Sequence, residues 1–129
     1  PVITADSLQM RQLFLNLIGN ALKFRRENIP PEIRISCSSL TDEEKSMPGI
    51  VPSRRYYKIQ FSDNGIGFEP EYAARIFQMF QRLHGKSEYP GSGIGLAICK
   101  KIVDYHQGII YAERLPEFGA RFTVILPAT

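Results

Sequence analysis

The feature that most constrains the fold is a change in the spacing of apolar residues at Pro30-Pro31. Before it, from Asp6 or Ser7 to about Arg26, apolar residues recur every three or four positions, which predicts an amphipathic helix capped by one of the first two residues. The two prolines end that pattern because proline lacks a backbone N–H and clashes with a preceding helical turn. After them the apolar residues alternate with polar ones, which predicts half-buried strands.

The predicted elements interleave along the chain. They are strands at Ile33–Cys37 and Tyr57–Phe61, helices at Glu69–Leu83 and Ile94–His106, the second closed by Gly108 as a cap, and strands at Ile109–Ala112 and Arg121–Leu126, with a solvated loop at Leu40–Arg55. Some strands follow each other directly. This order favours an α/β two-layer sandwich, in which helices cover one face of a mixed, mostly antiparallel sheet.

Composition excludes several other classes. A chain of 129 residues, 43% hydrophobic and 22% charged, is typical of one globular domain over residues 1–129. No stretch reaches the roughly 18 apolar residues of a membrane span, and the start does not resemble a signal peptide. Two cysteines make no disulfide framework, which favours a reducing, cytoplasmic setting. We expect no direct membrane contact by this domain, and whether the parent protein is membrane-anchored stays open. The net charge of +3 is too mild to indicate nucleic-acid binding.

The first helix carries an unusual polar stripe beside its apolar face. At about 100° per residue, Asn16, Asn20 and Lys23 fall within an arc of roughly 60°, with Gln12 beside them. Asparagine is a mediocre helix former, so two of them one turn apart need an explanation. Their oxygens could ligate Mg²⁺, and Lys23 could reach a phosphate on the same metal. A simple solvated face remains the alternative.

The second candidate feature is the segment Asp63–Gly67 at the end of a predicted strand. Asp63 has the same parity as the inward-facing Phe61, so its carboxylate points toward the apolar side and needs a donor there. A purine amino group is one such donor, and Gly65 and Gly67 let the backbone turn beside a flat ligand. An ordinary Asp-Asn-Gly turn is the alternative.

The third candidate feature is the glycine-rich segment Gly91–Gly95 before a predicted helix. Backbone N–H groups at a helix start favour an anion such as phosphate, although a flexible loop cap has the same composition. Two known phosphate-binding patterns do not fit any part of this sequence. A Walker loop needs glycine where Phe80 stands, and a dinucleotide fingerprint needs glycine where Pro70 stands.

Together these segments resemble the ATP-binding catalytic domain of sensor histidine kinases, in the wider group that includes gyrase and the ninety-kilodalton chaperones. Four family boxes occur in order: NLIGNALKF at 16–24, DNGIGF at 63–68, IFQMFQRL at 76–83 and GSGIGLAI at 91–98. The phenylalanine box favours histidine kinases over the other branches. The segments 23–26 and 83–90 are most similar to those of phytochrome-like and hybrid bacterial kinases.

The resemblance implies the Bergerat ATP-binding fold and a role for each matching residue. Asn20 and Asn16 would hold Mg²⁺, Lys23 would contact the phosphates of ATP, and Asp63 would accept a hydrogen bond from the adenine amino group. Residues 80–91 would form a lid over ATP, and Arg82 could touch the γ-phosphate or the acceptor domain. The remaining implied nucleotide contacts are Gly65, Gly67, Phe80, Gly91, Gly93, Gly95 and Leu96.

The resemblance also implies what this segment lacks. Neither His84 nor His106 is followed by an acidic residue in the way that the family's phosphoacceptor histidine is. That histidine would belong to a separate dimerisation domain of a homodimeric parent, which would also have a response regulator as partner. Family domains begin with a further strand and helix, so we expect a shortened chain with an exposed sheet edge or apolar patch and some self-association.

Other functions remain open at this point. One alternative is a nucleotide-binding scaffold or sensor without transfer activity. Another is a serine kinase or an ATPase of the same superfamily. Hydrolysis is disfavoured, because the chaperone-type ATPases carry a glutamate base about where Asn16 stands.

Overall fold

The computed structural model describes residues 5–67, 95–116 and 118–128 as a helical layer on an antiparallel sheet. The elements in chain order are α1 (Ser7–Lys23), β1 (Ile33–Ser39), a short 3-10 helix (Glu44–Ser46), β2 (Tyr56–Asp63), α2 (Gly95–Tyr105), β3 (Ile109–Arg114) and β4 (Ala120–Pro127). The strand order is β1-β2-β4-β3, and each described pair is antiparallel. The two-layer α/β prediction is confirmed. The predicted helix at 69–83 lies outside the described residues.

Helix α1 begins where the sequence indicates but ends earlier. Asp6 is its N-cap and accepts a hydrogen bond from the Gln9 N–H. The helix closes at Lys23, about one turn before Arg26, with Phe24 as its C-cap. The Phe24 carbonyl then accepts a hydrogen bond from the Ile66 N–H at 3.0 Å. The early end of α1 thus coincides with a hydrogen bond between the Phe24 carbonyl and Ile66, a residue far away in the sequence.

The main core lies between the two helices and the inner face of the sheet. Leu13 and Leu17 of α1 are buried against Cys99 and Val103 of α2. Phe14 meets Phe61 of β2 edge to face, with ring centroids 5.0 Å apart. Helix α1 therefore packs against α2 as well as against the sheet.

Strand β1 is more exposed than its alternation predicts. It pairs with β2 along one edge, and every residue after Ile33 is exposed, including Ile35 at 46%. The expectation of a half-buried strand is therefore wrong over most of its length. Neither described helix is in extensive contact with β1, so within the described part of the chain no helix covers its apolar residues. The expected exposed sheet edge and self-association stay predictions.

The loop at residues 40–55 is not simply solvated, which corrects the sequence interpretation. Ile50 is buried with Tyr56 and Ile125 on the outer face of the sheet, and Leu40 and Met47 pack against them. Thr41 and Glu44 exchange backbone-to-side-chain hydrogen bonds of 2.8 and 3.2 Å, in the pattern of a capping box. The loop therefore builds a second small core, because its scattered apolar residues meet side chains far away in sequence.

Helix α2 ends with a left-handed residue, but that residue is Gln107, with φ of 61°, and not the predicted Gly108. The N–H groups of Gln107 and Gly108 donate to Asp104 and Val103, which completes a Schellman-type cap. Glycine is needed at 108 for space, since a Cβ there would collide with the carbonyl oxygen of Ile125.

No helix among the described residues is long and apolar enough to cross a membrane.

His106 is partly buried and joins the two helices. Its Nδ1 lies 2.8 Å from the Ile102 carbonyl, and its Nε2 accepts a hydrogen bond from the Asp6 N–H at 3.1 Å. With both ring nitrogens in use, His106 fixes the N-terminus of α1 to the end of α2. His84 lies outside the described residues.

Candidate functional site

Asp63 ends β2 on the face that carries Phe61, as its parity predicts. Its Oδ1 accepts hydrogen bonds from the backbone N–H of Gly65 at 2.9 Å and of Ala120 at 3.3 Å. Burial raises the pKa of the Asp63 carboxyl, and the two N–H donors act in the opposite direction. The carboxylate is thus a half-buried acceptor fixed at the junction of β2 and β4.

The backbone around Asp63 is too crowded for side chains. A Cβ on Gly65 would lie 2.6 Å from the Phe24 carbonyl oxygen. Gly67 has a φ of 72°, and a Cβ there would lie 2.9 Å from the carbonyl oxygen of Gly119. A Cβ on Gly119, whose φ is 100°, would collide with the Asp63 carbonyl oxygen. The site therefore needs a third glycine that sequence reasoning missed, and only its place between two strands could have indicated it.

The turn after Asp63 is held from several sides. The Asn64 side chain accepts from the Glu32 N–H at 2.9 Å and donates to the Pro30 carbonyl at 3.1 Å. The Arg26 Nε donates to the Asn64 carbonyl at 2.8 Å, while the Arg26 guanidinium carbon lies 4.1 Å from the centre of the Phe118 ring. No local pattern in the sequence indicates that Arg26 and Phe118 lie beside this turn, so neither was among the predicted site residues.

The polar stripe of α1 borders the start of α2. Asn16 is half-buried, and its Nδ2 donates to the Gly95 carbonyl at 3.5 Å. Asn20 is also half-buried, whereas Lys23 and Gln12 are exposed. The two asparagines are therefore not fully solvated, and Asn16 brings the predicted N box into contact with the second glycine box.

The start of α2 is built from the residues that the sequence singled out. Gly95 is exposed, and a Cβ there would meet no atom within 4 Å, while the Leu96 side chain packs against the main core. Beneath Asn16, burial raises the pKa of the Cys99 thiol to about 12. Four further predicted residues lie outside the described residues: Phe80, Arg82, Gly91 and Gly93.

The arrangement suits a flat, amino-bearing ligand with an anionic end. Asp63 offers an acceptor beside a bare glycine backbone, and Lys23 offers a cation in the last turn of α1. The described residues contain no group of three His, Cys, Asp or Glu side chains that could hold a metal ion. Magnesium bound mainly through phosphates needs few protein ligands, and the amide oxygens of Asn16 and Asn20 are chemically suitable for it.

Comparison with known proteins identifies the family. The family model described as histidine kinase-, DNA gyrase B-, and HSP90-like ATPase matches residues 5–129. Cyanobacterial phytochrome A of Nostoc sp. (strain PCC 7120) is 44% identical over 127 residues, which cover 98% of this chain and 15% of that protein. Phytochrome-like protein Cph1 of Synechocystis sp. (strain PCC 6803) is 40% identical over the same shares. The chain thus spans about 15% of the length of these relatives.

Solved structures share the fold. The Mycobacterial sensor histidine kinase MprB superposes with a TM-score of 0.79 at 23% identity, over 97% of this chain and 76% of that one. Full-length ShkA in complex with AMPPNP has a TM-score of 0.72 at 28% identity, over 100% of this chain and 24% of that one. With the family match, these structures lead to one conclusion: the chain belongs to the histidine kinase-, DNA gyrase B- and HSP90-like ATPases and has the fold of sensor histidine kinase catalytic domains.

Proposed function

We propose that this domain binds Mg·ATP and donates its γ-phosphate to a histidine on a separate dimerisation domain of the same parent protein. The observation that carries the proposal is the half-buried Asp63 carboxylate, fixed by the N–H groups of Gly65 and Ala120 beside a crowded glycine backbone. An adenine amino group is a donor that such an acceptor selects, and guanine presents an oxygen at the same position. The AMPPNP bound to ShkA is in keeping with an adenine nucleotide.

The remaining residues suit the phosphate end of the ligand. Asn16 and Asn20 would supply oxygens to Mg²⁺, which neutralises phosphate charge, while Lys23 and the start of α2 at Gly95 and Leu96 would face the phosphates. Phosphoryl transfer depends mainly on positioning and charge neutralisation, so the domain needs no nucleophile of its own. The parent would be a cytoplasmically acting homodimer that passes the phosphoryl group to a response regulator. Phe80, Arg82, Gly91 and Gly93 are proposed to complete the site.

Calorimetric titration with Mg·ATP tests the nucleotide part of this proposal. Asp63→Ala should weaken ATP binding roughly tenfold or more, because a hydrogen bond to a charged group is lost. The matched control is Asp104→Ala, which removes an exposed carboxylate that pairs with Lys100 on α2. Equal ATP affinity in the unsubstituted domain and the Asp63→Ala variant would defeat the adenine assignment.

The magnesium part has its own prediction. Asn20→Ala should reduce the gain in ATP affinity that Mg²⁺ provides and leave metal-free binding nearly unchanged, since it removes a metal ligand and no contact to the base. Titrations with Mg²⁺ and with EDTA, on the parent and the variant, measure this difference. An unchanged magnesium effect would remove Asn20 from the metal site.

Transfer is tested separately with ATP labelled at the γ-phosphate. The domain alone should retain the label on ATP, and addition of the parent's histidine-bearing helical domain should move it to that domain. ATP binding without any transfer would favour a sensor or scaffold role. Release of free phosphate without a labelled protein would favour an ATPase.

A further inference from the structure

Arg26 occupies a position that the family boxes do not explain. It lies just beyond α1, is partly buried, and uses two properties of its side chain at once. Its Nε donates to the Asn64 carbonyl at 2.8 Å, and the flat guanidinium lies over the Phe118 ring, 4.1 Å from the ring centre. This geometry combines a directed hydrogen bond with a cation–π contact, which lysine cannot reproduce.

The two partners of Arg26 belong to the two segments that hold the Asp63 carboxylate. Asn64 directly precedes Gly65, whose N–H donates to Oδ1. Phe118 lies two residues before Ala120, whose N–H donates to the same oxygen. Arg26 therefore contacts both segments, and Oδ1 accepts a hydrogen bond from one backbone N–H of each.

The fold does not depend on this link alone. The Asn64 side chain already joins the turn to Pro30 and Glu32, and the Ile66 N–H joins it to Phe24. Strands β2 and β4 pair up to Ser62 and Arg121, next to the site. Phe118 is 58% exposed, so its ring adds little to the core. What the pair adds is a constraint on the segment that carries Ala120.

We propose that Arg26 and Phe118 form a positioning pair, which orients the Asp63 carboxylate for selection of adenine over guanine. This inference rests on the proposed function, because it concerns the same nucleotide site. Neither side chain is proposed to touch the nucleotide. They act through Asn64 and through the segment from Phe118 to Ala120.

The test is the ratio of ATP to GTP affinity, measured by calorimetry on the parent and on conservative variants. Phosphate contacts are common to both nucleotides and cancel in the ratio, so general loosening of the domain leaves the ratio unchanged. Arg26→Lys and Phe118→Leu should each lower the ratio by about two- to fivefold, the scale of an exposed cation–π contact. Phe118→Tyr keeps the aromatic face and should retain the parent ratio.

Matched controls come from the same region and from α2. Arg25→Lys changes the neighbouring arginine, which donates to the Leu22 carbonyl, and Tyr105→Leu changes an aromatic residue that is 72% exposed. Both should leave the ratio unchanged. In the double variant Arg26→Lys/Phe118→Leu, the ATP to GTP affinity ratio should fall no further than in the more strongly affected single variant, because both substitutions break the same contact.

A second readout does not need nucleotide. In amide NMR spectra, Arg26→Lys should shift the Gly65 and Ala120 signals, and Arg25→Lys should not. If the variants kept the ATP to GTP affinity ratio of the unsubstituted domain and did not shift the Gly65 and Ala120 signals, the positioning pair would be overturned and the proposed function would stand. If the unsubstituted domain bound neither ATP nor GTP, the positioning pair and the proposed function would both be overturned.

Discussion

At the scale of single residues, Asp63 has two properties that pull in opposite directions. Burial makes its ionised form costly, so its pKa lies above the ordinary value of 3.8 despite the N–H donors of Gly65 and Ala120. The same fixed, partly dehydrated carboxylate is a stronger acceptor than one in water. On the proposed function, this residue would favour ligand recognition at some expense to stability.

The pH dependence of adenosine binding follows from that pKa shift. Adenosine affinity should fall as the pH is lowered through the raised pKa, because the protonated carboxyl offers a donor where an acceptor is needed. The fall should therefore begin at a higher pH than for an ordinary aspartate. Titration calorimetry with adenosine, which carries no phosphate to titrate, measures it.

Asp63→Asn is the matched variant. Asparagine keeps an oxygen for Gly65 and Ala120 but presents an amide donor to the base, so binding should be weak at every pH. A raised folded-state pKa means that the group's stabilising contribution is present below 3.8 and is lost as the pH rises through the folded value. The variant should accordingly be at least as stable as the parent at pH 7. Adenosine binding with the parent's pH profile in Asp63→Asn would contradict this role.

At the scale of elements, one glycine inside α1 and one just after α2 show that the surroundings of a glycine decide how its replacement changes stability. Gly19 lies inside α1, where an added Cβ meets no atom within 4 Å. Gly108 lies just after α2, where an added Cβ would collide with the Ile125 carbonyl oxygen and lie 3.1 Å from Val103. One glycine therefore only weakens its helix, and the other permits a close approach between α2 and β4.

Alanine substitution should separate the two glycines by sign. Gly19→Ala should stabilise the domain by about 0.5–1 kcal/mol, because the backbone loses less entropy on folding. Gly108→Ala should destabilise it by more than that amount, since backbone must shift. Urea unfolding followed by circular dichroism gives both free energies of unfolding. Equal effects in the two variants would show that the Gly108 contact is not rigid.

At the scale of the whole molecule, the sheet has a core on each face. The helices cover the inner face, while the loop at residues 40–55 covers one end of the outer face. Glu44 of that loop binds Lys58 of β2 through both carboxylate oxygens at 2.9 and 3.0 Å. Burial alone would raise the pKa of Glu44, but hydrogen bonds from Thr41 and Lys58 hold it below the ordinary 4.5.

This ion pair should make the domain sensitive to acid. A lowered folded-state pKa contributes stability that is present above 4.5 and is lost as the pH falls through the folded value. Glu44→Gln should therefore reduce the free energy of unfolding at pH 7 and flatten its decline below about pH 5. Urea unfolding at several pH values measures both effects.

The control for Glu44 is Asp42→Asn, which removes a fully exposed partner of Lys45. Exposed ion pairs contribute little, so this variant should follow the parent's pH profile. If Glu44→Gln and the parent declined in parallel on acidification, the Glu44–Lys58 pair would not connect loop stability to pH.

Features that depend on near neighbours could be predicted from the amino-acid sequence. The spacing of Leu13, Leu17 and Ala21 fixed the buried face of α1, and the parity of Phe61 placed Asp63 on the core side of β2. The sequence offered Asp6 or Ser7 as the helix cap, and the structure has Asp6. These predictions succeed because the helical and strand periods act over a few residues. Side chains at those spacings share a face regardless of the rest of the chain.

The tertiary structure alone decided which distant segments surround Asp63. Arg26, Gly119 and Ala120 lie far from it in the chain and carry no shared pattern, so only the β2–β4 pairing and the early end of α1 bring them together. The same holds for the loop at residues 40–55, whose Ile50 finds Ile125 across the sheet. Such contacts arise from burial of apolar area and close packing between elements, which depend on positions in space and leave no period in the sequence.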